Sequence, residues 1–584
     1  MKLPETLYPL PETLKQVGKK SAFVAISRLL LFFLILAFLI IGLSDNKLFL
    51  LPLPVLVLIF VALINRFNYY KDLKAFIHEL QAMETEEAER KKRALKNFDP
   101  GIEFMEKNHP FCNDLDLFGS HSLFQLLNHT VSASGRKLLA GSMKAQIDPE
   151  KACKNYSAIE ELREKTLLIQ HFQAIGRAFL KEEKDKSRFY NWLKEPEKWH
   201  ITYFLFIWIG PIGGVSLLLA ALLGWLPSAW MGLWILIGMA ILSLIYKALN
   251  TASKIWPGDG DIKTFRIWAQ FLEKTAFKDP LLTKLNTHFA DAQFSKGLHS
   301  LEQISFLVQN RLNLVYIILN LFFWLDFFLL WRLRRWKRDF GTDLSEIEKI
   351  FDQWQVYISL AAFSNSSGLQ GKINWTTNPQ FECKNIKHPL LKIDQAIGND
   401  FNMKELEKTV LLTGANMSGK TTFMRTLGIN LVLVNLGLRP FAESLSIGNF
   451  QLYTSMRNTD NLGESVSSFY AELFRIKQII EAAEKGERIF FLMDEILKGT
   501  NTKDRILGSE ALISQLASKQ TKGIISTHDI ELSDLEKSLP YLVNYSFHSE
   551  IADSEILFDY KLKQGPCPSF NAYKLMQLMG VRFE

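Results

Sequence analysis

One stretch of the chain, Gly414 to Thr421, has the residue types and spacing of a phosphate-binding loop. Its sequence, GANMSGKT, fits the pattern G-x-x-x-x-G-K-[ST]. The two glycines allow the loop to wrap around phosphate groups so that backbone N–H groups face the anion. Lys420 can neutralise the β and γ phosphates, and the Thr421 hydroxyl can bind Mg²⁺. The residues expected to bind the nucleotide are Gly414, Ala415, Asn416, Met417, Ser418, Gly419, Lys420, Thr421 and Thr422.

The elements predicted around this loop are those that such a site requires. Thr409 to Thr413 is a short apolar run, typical of a buried strand, and a helix is expected from Thr422. A helix N-terminus presents unpaired N–H groups and a partial positive charge, both of which favour an anion. The pattern alone has chance matches, but the strand before it and the helix after it favour a phosphate site over a structural glycine turn.

Two acidic residues follow a second predicted strand. The run Ile489 to Met493 is apolar and continues into Asp494 and Glu495. A strand buried on both faces places Asp494 at its carboxyl end, where it can reach the Mg²⁺. Glu495 can then polarise the attacking water. Paired acids are also common at helix starts, but their position downstream of the phosphate loop favours the catalytic interpretation.

A third short strand, Gly523 to Thr527, leads to His528. A single histidine is usually structural, but the register of His528 with the other motifs predicts that it senses the γ-phosphate. The sequence therefore predicts a catalytic set of Lys420, Glu495 and His528, and metal binding by Thr421 and Asp494.

The composition excludes several classes of protein. The chain of 584 residues is 48% apolar and 22% charged, which is not the composition of a disordered chain. Its 4 cysteines are far apart and form no C-x-x-C pair, which excludes a disulfide scaffold and a cysteine-rich zinc module and favours a reducing compartment. The formal charge of +7 is small for this length, so charge gives no argument for nucleic acid.

Four apolar runs have the length of membrane spans. They pair into two hairpins, 22–43 with 48–64 and 201–224 with 230–246. Each is near the ~20 residues that cross a bilayer. Lysine and arginine flank the outer ends of the first hairpin and are nearly absent from the linking turns, so both hairpin tips should lie outside the cell. The predicted location is the inner (cytoplasmic) membrane, with the soluble domains in the cytoplasm, and buried core helices are the alternative.

A fifth apolar run, 312–331, is interrupted by Asn313, Asn320 and Asp326. If it crossed the membrane, the nucleotide site would lie outside, away from cellular ATP. The run is therefore predicted to be a long buried helix, with a span as the alternative. The mixture of arginine and tryptophan over 331–338 favours a charged helix end packed by tryptophans over a surface for a phosphate backbone.

The pattern of elements predicts three domains. Residues 1–98 form a membrane hairpin and a linker helix, and residues 99–379 form a helical domain interrupted by the second hairpin. Residues 380–584, in which short apolar runs alternate with helical stretches, form an α/β domain.

Together, the motifs resemble a known family. The segments TGANMSGKTT, LMDEI, GTNTKD and STHD resemble the ATPase domain of MutS mismatch-repair proteins, a branch of the ABC ATPases. Upstream, Asp114 to Met143 is similar to the start of the MutS core domain, and Lys387 to Leu391 to the segment that leads into its ATPase. The resemblance implies a C-terminal α/β P-loop ATPase domain of the ABC/MutS type that uses ATP and Mg²⁺. It also implies an all-α, MutS core-like domain before it, here with transmembrane helical hairpins.

The same resemblance implies a head-to-tail homodimer that clamps each nucleotide between subunits. Ser465 to Phe469 resembles the signature region, which would present Ser467 or Ser468 to the partner's γ-phosphate, although a serine cluster alone is more often a helix cap or turn. Asp504 resembles the acid of a loop that crosses the dimer interface. Departures from the family pattern affect subunit communication more than phosphate chemistry, and they occur at Ala415, Ser418, Leu497, Lys498 and Arg505.

DNA is a candidate ligand by this resemblance alone. Residues 1–98 have no counterpart of the family's mismatch-recognition domain with its Phe-x-Glu wedge, and the hydrophobic hairpin 201–246 replaces the DNA-gripping clamp. Direct mismatch recognition is therefore not expected.

Three functional hypotheses follow. The first is a membrane-anchored, MutS-like ATPase whose dimer uses ATP to drive a conformational change, acting on DNA or a protein near the membrane. The second is a membrane scaffold that nucleotide binding switches without significant turnover. The third, an ABC-type transporter, is weaker because the four spans contain no charged residue apart from Arg28.

Overall fold

The computed structural model describes residues 8–44, 47–180, 186–195, 199–227, 229–289, 292–340, 344–415, 417–457, 468–552 and 555–568. A helical region precedes a C-terminal α/β domain, as predicted. The helices of the first region are α1 Leu10–Ser44, α2 Leu53–Lys91, α3 Leu123–Leu127, α4 Ala133–Met143, α5 Pro149–Glu164, α6 Thr166–Phe179, α7 Ser187–Lys194, α8 Thr202–Leu222, α9 Ala229–Ile255, α10 Asp259–Glu273, α11 Pro280–Asn286, α12 Ala292–Gln309, α13 Leu314–Phe323, α14 Leu325–Phe340 and α15 Leu344–Ser367.

The α/β domain follows directly. Its elements are β1 Lys372–Thr376, β2 Phe381–Ile386, β3 Asn399–Met403, β4 Thr409–Gly414, α16 Lys420–Asn435, β5 Ser444–Gly448, β6 Gln451–Ser455, α17 Ser468–Glu484, β7 Ile489–Asp494, α18 Thr502–Ala517, β8 Thr521–Thr527, β9 Leu542–Ala552 and β10 Glu555–Gln564.

The chain divides into two compact units. The first comprises the residues up to Glu86, together with Val131–Gly135 and Leu167–Gln355. The second comprises Glu87–Thr130, Arg136–Thr166 and the chain from Val356 onward.

Among the described residues of the first unit, four helices are long and apolar enough to cross a membrane, namely α1, α2, α8 and α9. α1 and α2 pack antiparallel, since the Arg28 guanidinium lies 4.6 Å from the centre of the Phe67 ring and the Phe32 and Phe60 rings are 6.4 Å apart. Their apolar side chains point outward, and Phe33 is 57% exposed. The remaining helices of this unit have an aromatic core, in which the Phe172 and Trp268 rings stack with their centres 4.1 Å apart.

The prediction of one long buried helix over 312–331 is wrong. The helix breaks at Trp324, which has a left-handed φ of 53°, and the described residues of α13 include none that is buried. Val315 and Ile318 are 63% and 56% exposed. α12 and α13 meet at 99° and together satisfy the length and hydropathy of a span, either broken or re-entrant. The Asn320 amide oxygen accepts a hydrogen bond from the Asp326 N–H (2.8 Å), which links α13 to α14 across the break.

The second unit contains two sheets. The larger has the strand order β10-β9-β4-β8-β7-β6, and all neighbouring strands are parallel except β9 and β10. β4 lies inside this sheet and is buried along its whole length, which explains its continuous apolar sequence. The smaller sheet has the order β1-β5-β2-β3. The carboxyl ends of β4, β8 and β7 therefore meet at one sheet edge.

The segment that begins at Asp114 packs within this second unit. The buried Asp114 carboxylate accepts hydrogen bonds from the Thr454 hydroxyl (2.7 Å) and the Arg457 N–H (3.0 Å), directly after β6. The Asp116 carboxylate accepts one from Arg425 of α16 (2.9 Å). These contacts attach the segment to β6, to the residues that follow it, and to α16, the helix after the glycine-rich loop.

Candidate nucleotide site

The predicted site residues follow three strands that end at the same edge of the larger sheet. β4 leads into the glycine-rich loop, β7 ends at Asp494, and β8 ends at Thr527, immediately before His528. The register pairs Asp494 with Ser526 and Thr413 with Thr527. Ligands of open α/β sheets bind outside the carboxyl ends of the strands, so this edge is the expected location.

The loop between β4 and α16 has the backbone geometry that its glycines predict. Gly414 has a φ of 149° and Gly419 a φ of 106°, a range that favours glycine. A Cβ at Gly414 would lie 2.7 Å from the Phe547 carbonyl oxygen. Any larger residue at Gly414 would therefore push the loop away from β9.

Lys420 is the first residue of α16 and is only 4% exposed. Its ammonium group donates hydrogen bonds to the carbonyl oxygens of Gly414 (2.8 Å) and Ala415 (3.0 Å), so it lies across the mouth of the loop. Burial lowers the pKa of Lys420 to about 8, although the nearby Asp494 carboxylate opposes the shift. A phosphate at this position would restore the preference for the charged form.

The two predicted metal ligands are in direct contact. The Thr421 hydroxyl donates a hydrogen bond to Asp494 Oδ2 (2.5 Å), and the Ser526 hydroxyl donates one to Asp494 Oδ1. No group of three or more His, Cys, Asp or Glu side chains suited to a metal occurs among the described residues. One hydroxyl and one carboxylate nevertheless suit Mg²⁺, which usually keeps several waters and takes further oxygens from substrate phosphates.

Glu495 follows β7 and has a left-handed φ of 48°. Its Oε1 lies 2.6 Å from Nε2 of His528, and its Oε2 forms an ion pair with Lys498. Burial and the nearby charges of Lys420 and Lys498 hold the pKa of His528 below its usual value, so the imidazole is neutral at pH 7. The carboxylate and the imidazole can therefore act as a hydrogen-bonded pair on a water molecule.

The turn that carries Glu495 is attached to α17. The Glu472 carboxylate is buried and accepts a hydrogen bond from the Leu497 N–H, and Leu497 itself has a φ of 60°. A Cβ at Gly499 would lie 2.5 Å from Cβ of Phe469, so the turn also approaches the first turn of α17 closely. Movement of α17 would thus displace the turn, including Glu495.

A cavity of about 440 Å³ adjoins the loop. Beyond the loop residues, one part of its wall is formed by Leu391, Ile397 and Tyr560, of which Leu391 and Tyr560 are 41% and 43% exposed. Polar residues, including His388, Gln395 and Asn399, line other parts of the cavity. The Tyr560 carbonyl oxygen accepts a hydrogen bond from the Asn399 amide (3.1 Å), which holds the strand irregularity between Phe558 and Leu562 against β3. Apolar and aromatic walls beside a phosphate loop suit a nucleobase. Sequence reasoning missed this wall because its residues are isolated and far apart in the chain.

The structure brings together most of the predicted site residues. Gly414, Ala415, Met417, Ser418 and Gly419 form the loop, and Thr421 and the exposed Thr422 lie in the first turn of α16. Asn416 and Ser467 lie outside the described residues, and Ser468 is the first residue of α17. Asp504 is exposed near the start of α18, where its carboxylate accepts a hydrogen bond from the Asn501 amide (2.7 Å).

These residues fit a magnesium-bound nucleoside triphosphate. The buried Lys420 ammonium and the first turn of α16 provide positive charge, while Thr421 and Asp494 provide oxygen ligands. The buried Ser418 hydroxyl, directed towards the loop at Gly414, has no hydrogen-bond partner among the described residues. The donor set therefore matches a triphosphate and its metal ion.

Comparison with known proteins supports this interpretation. A family model described as MutS domain V matches residues 410–581. The chain is 28% identical over 248 residues to the DNA mismatch repair protein MutS of Listeria welshimeri. The alignment covers 41% of this chain and 28% of the Listeria welshimeri protein. It is 30% identical over 260 residues to the protein of the same name from Bacillus cereus. That alignment covers 44% of this chain and 29% of the Bacillus cereus protein.

The matched region thus spans less than a third of the length of these relatives, 28% and 29%. The match contains the loop, the Asp494–Glu495 pair and His528, whose spatial arrangement has been described above. The C-terminal α/β domain, over residues 410–581, therefore matches the family described as MutS domain V.

Proposed function

We propose that this protein is a membrane-anchored, P-loop ATP hydrolase of the ABC/MutS type, which uses ATP in a homodimer to drive a conformational change. The observation that carries the proposal is the convergence of Lys420, the Thr421–Asp494 contact and the Glu495–His528 pair at one sheet edge. This edge adjoins a cavity with an apolar wall, next to the loop that would hold the phosphates.

Each residue of the site has a separate role in the proposed reaction. Lys420 and the loop N–H groups hold the β and γ phosphates, and Tyr560, Leu391 and Ile397 contact the base. A magnesium ion on Thr421 and Asp494 would neutralise charge on the phosphates. Glu495 accepts a hydrogen bond from the attacking water and orients it, and the neutral His528 lies within reach of the γ-phosphate.

The link between α17 and the catalytic turn supports a conformational role. Glu472 and Phe469 of α17 contact the turn at Leu497 and Gly499. The resemblance described above implies that Ser467 or Ser468 contacts the partner's nucleotide, and Ser468 is the first residue of this helix. Closure of a dimer on ATP would then press on α17 and bring Glu495 into position, which couples assembly to hydrolysis.

The membrane anchor is supported by α1, α2, α8 and α9, whose length and hydropathy suit four spans. Their outward apolar side chains, such as Phe33 and Leu58, which are 57% and 70% exposed, would face hydrocarbon rather than water. The flanking positive charges favour a cytoplasmic location for the ATPase domain. DNA or a protein near the membrane is the candidate target.

ATP hydrolysis by the full-length protein in lipid vesicles tests this proposal. We expect magnesium-dependent phosphate release that the Lys420→Ala substitution abolishes. Lys477→Ala is the matched control, because Lys477 is an exposed residue of α17 whose ion pair with Glu481 lies on the surface.

The alternative function is a membrane scaffold that binds nucleotide without significant turnover. The Lys498–Glu495 ion pair favours it, since a carboxylate engaged by a cation is a weaker base. The Glu495→Gln variant separates the two functions. If the protein is an ATPase, the variant should keep bound ATP and lose turnover. If it is a scaffold, the variant should still dimerise in the presence of ATP much as the unaltered protein does.

A further inference from the structure

An apolar groove of about 760 Å³ lies in the first unit, between α8 and the break that separates α13 from α14. α8 contributes one wall and the residues around the break contribute the other. Ser216 is the one polar residue among those that line it. The main lining residues are Phe204, Trp208, Ile212, Trp324, Phe328 and Trp331.

Close helix packing fixes the shape of this groove. A Cβ at Gly210 would lie 2.6 Å from the Phe323 carbonyl oxygen, and one at Gly214 would lie 2.6 Å from that of Phe322. Trp324 stacks on Trp234 of α9, with ring centres 4.6 Å apart. The groove is therefore preformed and does not depend on flexible side chains.

The groove opens on the outer face of a candidate membrane span. Trp208 and Ile212 of α8 are 60% and 61% exposed, and Phe328 of α14 is 41% exposed. An apolar surface of this kind marks a binding site. If α8 crosses the bilayer, the molecules next to this surface are lipids, and their acyl chains match its chemistry.

One end of the groove is basic. α14 runs antiparallel to α8, since Phe327 contacts Tyr203 (5.4 Å between ring centres) and the Arg334 guanidinium lies 5.4 Å from the centre of the Trp199 ring. Trp199 precedes α8, so Arg334 lies at the end of the groove that corresponds to the start of this helix. Arg335, 63% exposed, extends from the same turn of α14.

The basic end of α14 also carries one acidic side chain in the described part of the chain. Asp339 is the acidic residue of this part of α14, and it lies 2.9 Å from Nε of Arg338 and 3.8 Å from Nε of Arg335. Lys337 is buried and lies 3.7 Å from the centre of the Trp192 ring, so it does not face the groove mouth. Among the described residues of α14, the exposed Arg334, Arg335 and Arg338 therefore outnumber the single exposed acid, Asp339.

We propose that this groove binds one anionic phospholipid, with an acyl chain between α8 and α14 and the headgroup on Arg334 and Arg335. The inference rests on the proposed membrane anchoring. The volume lies within the roughly 300–1,000 Å³ of ordinary ligand sites, and the lining offers a polar ligand almost no hydrogen bonds. Cationic side chains at the cytoplasmic end of a span attract anionic headgroups. Lipid composition would thereby act on the helices next to the break at Trp324.

The test uses full-length protein in phosphatidylcholine vesicles that contain a phosphatidylglycerol with a photoreactive group in its acyl chain. Crosslinked residues are mapped by mass spectrometry. We expect strong labelling of α8 and α14 at the groove and weak labelling there by the matching phosphatidylcholine probe. Ile212→Trp, which fills the groove, should remove the groove labelling, whereas Leu236→Trp, on the exposed face of α9, should not.

The headgroup site has its own pair of variants. Replacing Arg334 and Arg335 by glutamine should lower groove labelling roughly fivefold per charge, the ordinary attraction of one basic side chain to an anionic surface. Replacing the exposed Lys247 and Lys254 of α9 by glutamine is the matched control and should leave labelling unchanged.

Five results would overturn the lipid site, and the first three concern labelling within the groove. These three are equal labelling of α8 and α9, labelling that neither the Ile212 nor the arginine variants alter, and labelling that duplex DNA displaces, which would assign the arginines to nucleic acid. Labelling at Phe33 of α1 without labelling in the groove would refute this site and leave the membrane anchor intact. An absence of labelling on every apolar helix would refute both.

Discussion

Glu495 Oε1 lies 2.6 Å from Nε2 of His528, although the two residues follow different strands of the sheet. β7 and β8 are neighbouring parallel strands whose register pairs Asp494 with Ser526. The residues that follow the two strands therefore leave the sheet side by side. This contact is the reason to treat the carboxylate and the imidazole as one functional pair.

The first prediction is that Glu495 and His528 act as a unit. Glu495→Gln should lower kcat by about 10² to 10⁴, the usual contribution of a general base, and His528→Asn should also lower it. The double variant should be no slower than the poorer single variant, because groups that act together are not additive. Steady-state phosphate release measures all three. The control double variant combines Glu495→Gln with the surface change Glu510→Gln, and its two effects on kcat should be additive. Additive losses of kcat for Glu495→Gln and His528→Asn would contradict the pairing.

The second prediction concerns the metal. Thr421→Val removes the hydroxyl that lies 2.5 Å from Asp494, so hydrolysis should require a much higher magnesium concentration. Titration of the rate with Mg²⁺ at fixed ATP measures the shift. Thr409→Val is the matched control, because the Thr409 hydroxyl is buried at the opposite end of β4 and has no hydrogen-bond partner among the described residues. An unchanged magnesium requirement in Thr421→Val would exclude this hydroxyl as a ligand.

The third prediction concerns proton uptake. The pKa of Lys420 is about 8 in the free protein. Phosphates favour its charged form and should raise this pKa, so ATP binding should take up a proton above pH 8 and weaken as the pH rises further. Below pH 7, Lys420 is charged in both states and contributes no uptake. Calorimetry at pH 9 in two buffers of different ionisation enthalpy measures the effect.

A second lysine provides the control for this titration. Burial also lowers the pKa of Lys522 to about 8, but Lys522 lies at the start of β8, away from the nucleotide edge. Lys420→Arg should abolish the proton uptake, since arginine stays charged, whereas Lys522→Arg should preserve it. Equal binding heats in both buffers for the unaltered protein would refute the assignment of Lys420.

The fourth prediction is that Glu472 positions Glu495. Glu472→Ala removes the acceptor for the Leu497 N–H, and kcat should fall roughly tenfold, the factor that corresponds to one lost buried hydrogen bond. KM should change little, because the nucleotide contacts remain. Glu472→Gln keeps an acceptor oxygen and should recover most of the activity. Glu481→Ala, at the exposed end of α17, is the control. If KM rose while kcat stayed constant, Glu472 would have a different role.

The strands and loop of the site could be predicted because their signals are local. β4, β7 and β8 are buried on both faces, so their sequences are short continuous apolar runs. The polar residue after each run lies at the same sheet edge. The glycines of the loop have the φ values that their spacing suggests.

The features that could not be predicted depend on contacts between distant parts of the chain. The break at Trp324 depends on stacking with Trp234 and on the Asn320 side chain, and no glycine or proline marks it. The Glu472–Leu497 bond and the Tyr560 wall likewise join residues whose proximity only the folded chain creates. Hydrophobic pattern alone therefore assigned 312–331 to one helix.

The most direct test of the central claim is magnesium-dependent ATP hydrolysis by the full-length protein in sealed lipid vesicles, compared with the Lys420→Ala and Glu495→Gln variants. Steady turnover by the unaltered protein is expected, with loss of ATP binding in Lys420→Ala and with retained ATP but little turnover in Glu495→Gln. Equal rates for all three proteins would contradict an ATPase site built on Lys420, Asp494 and Glu495.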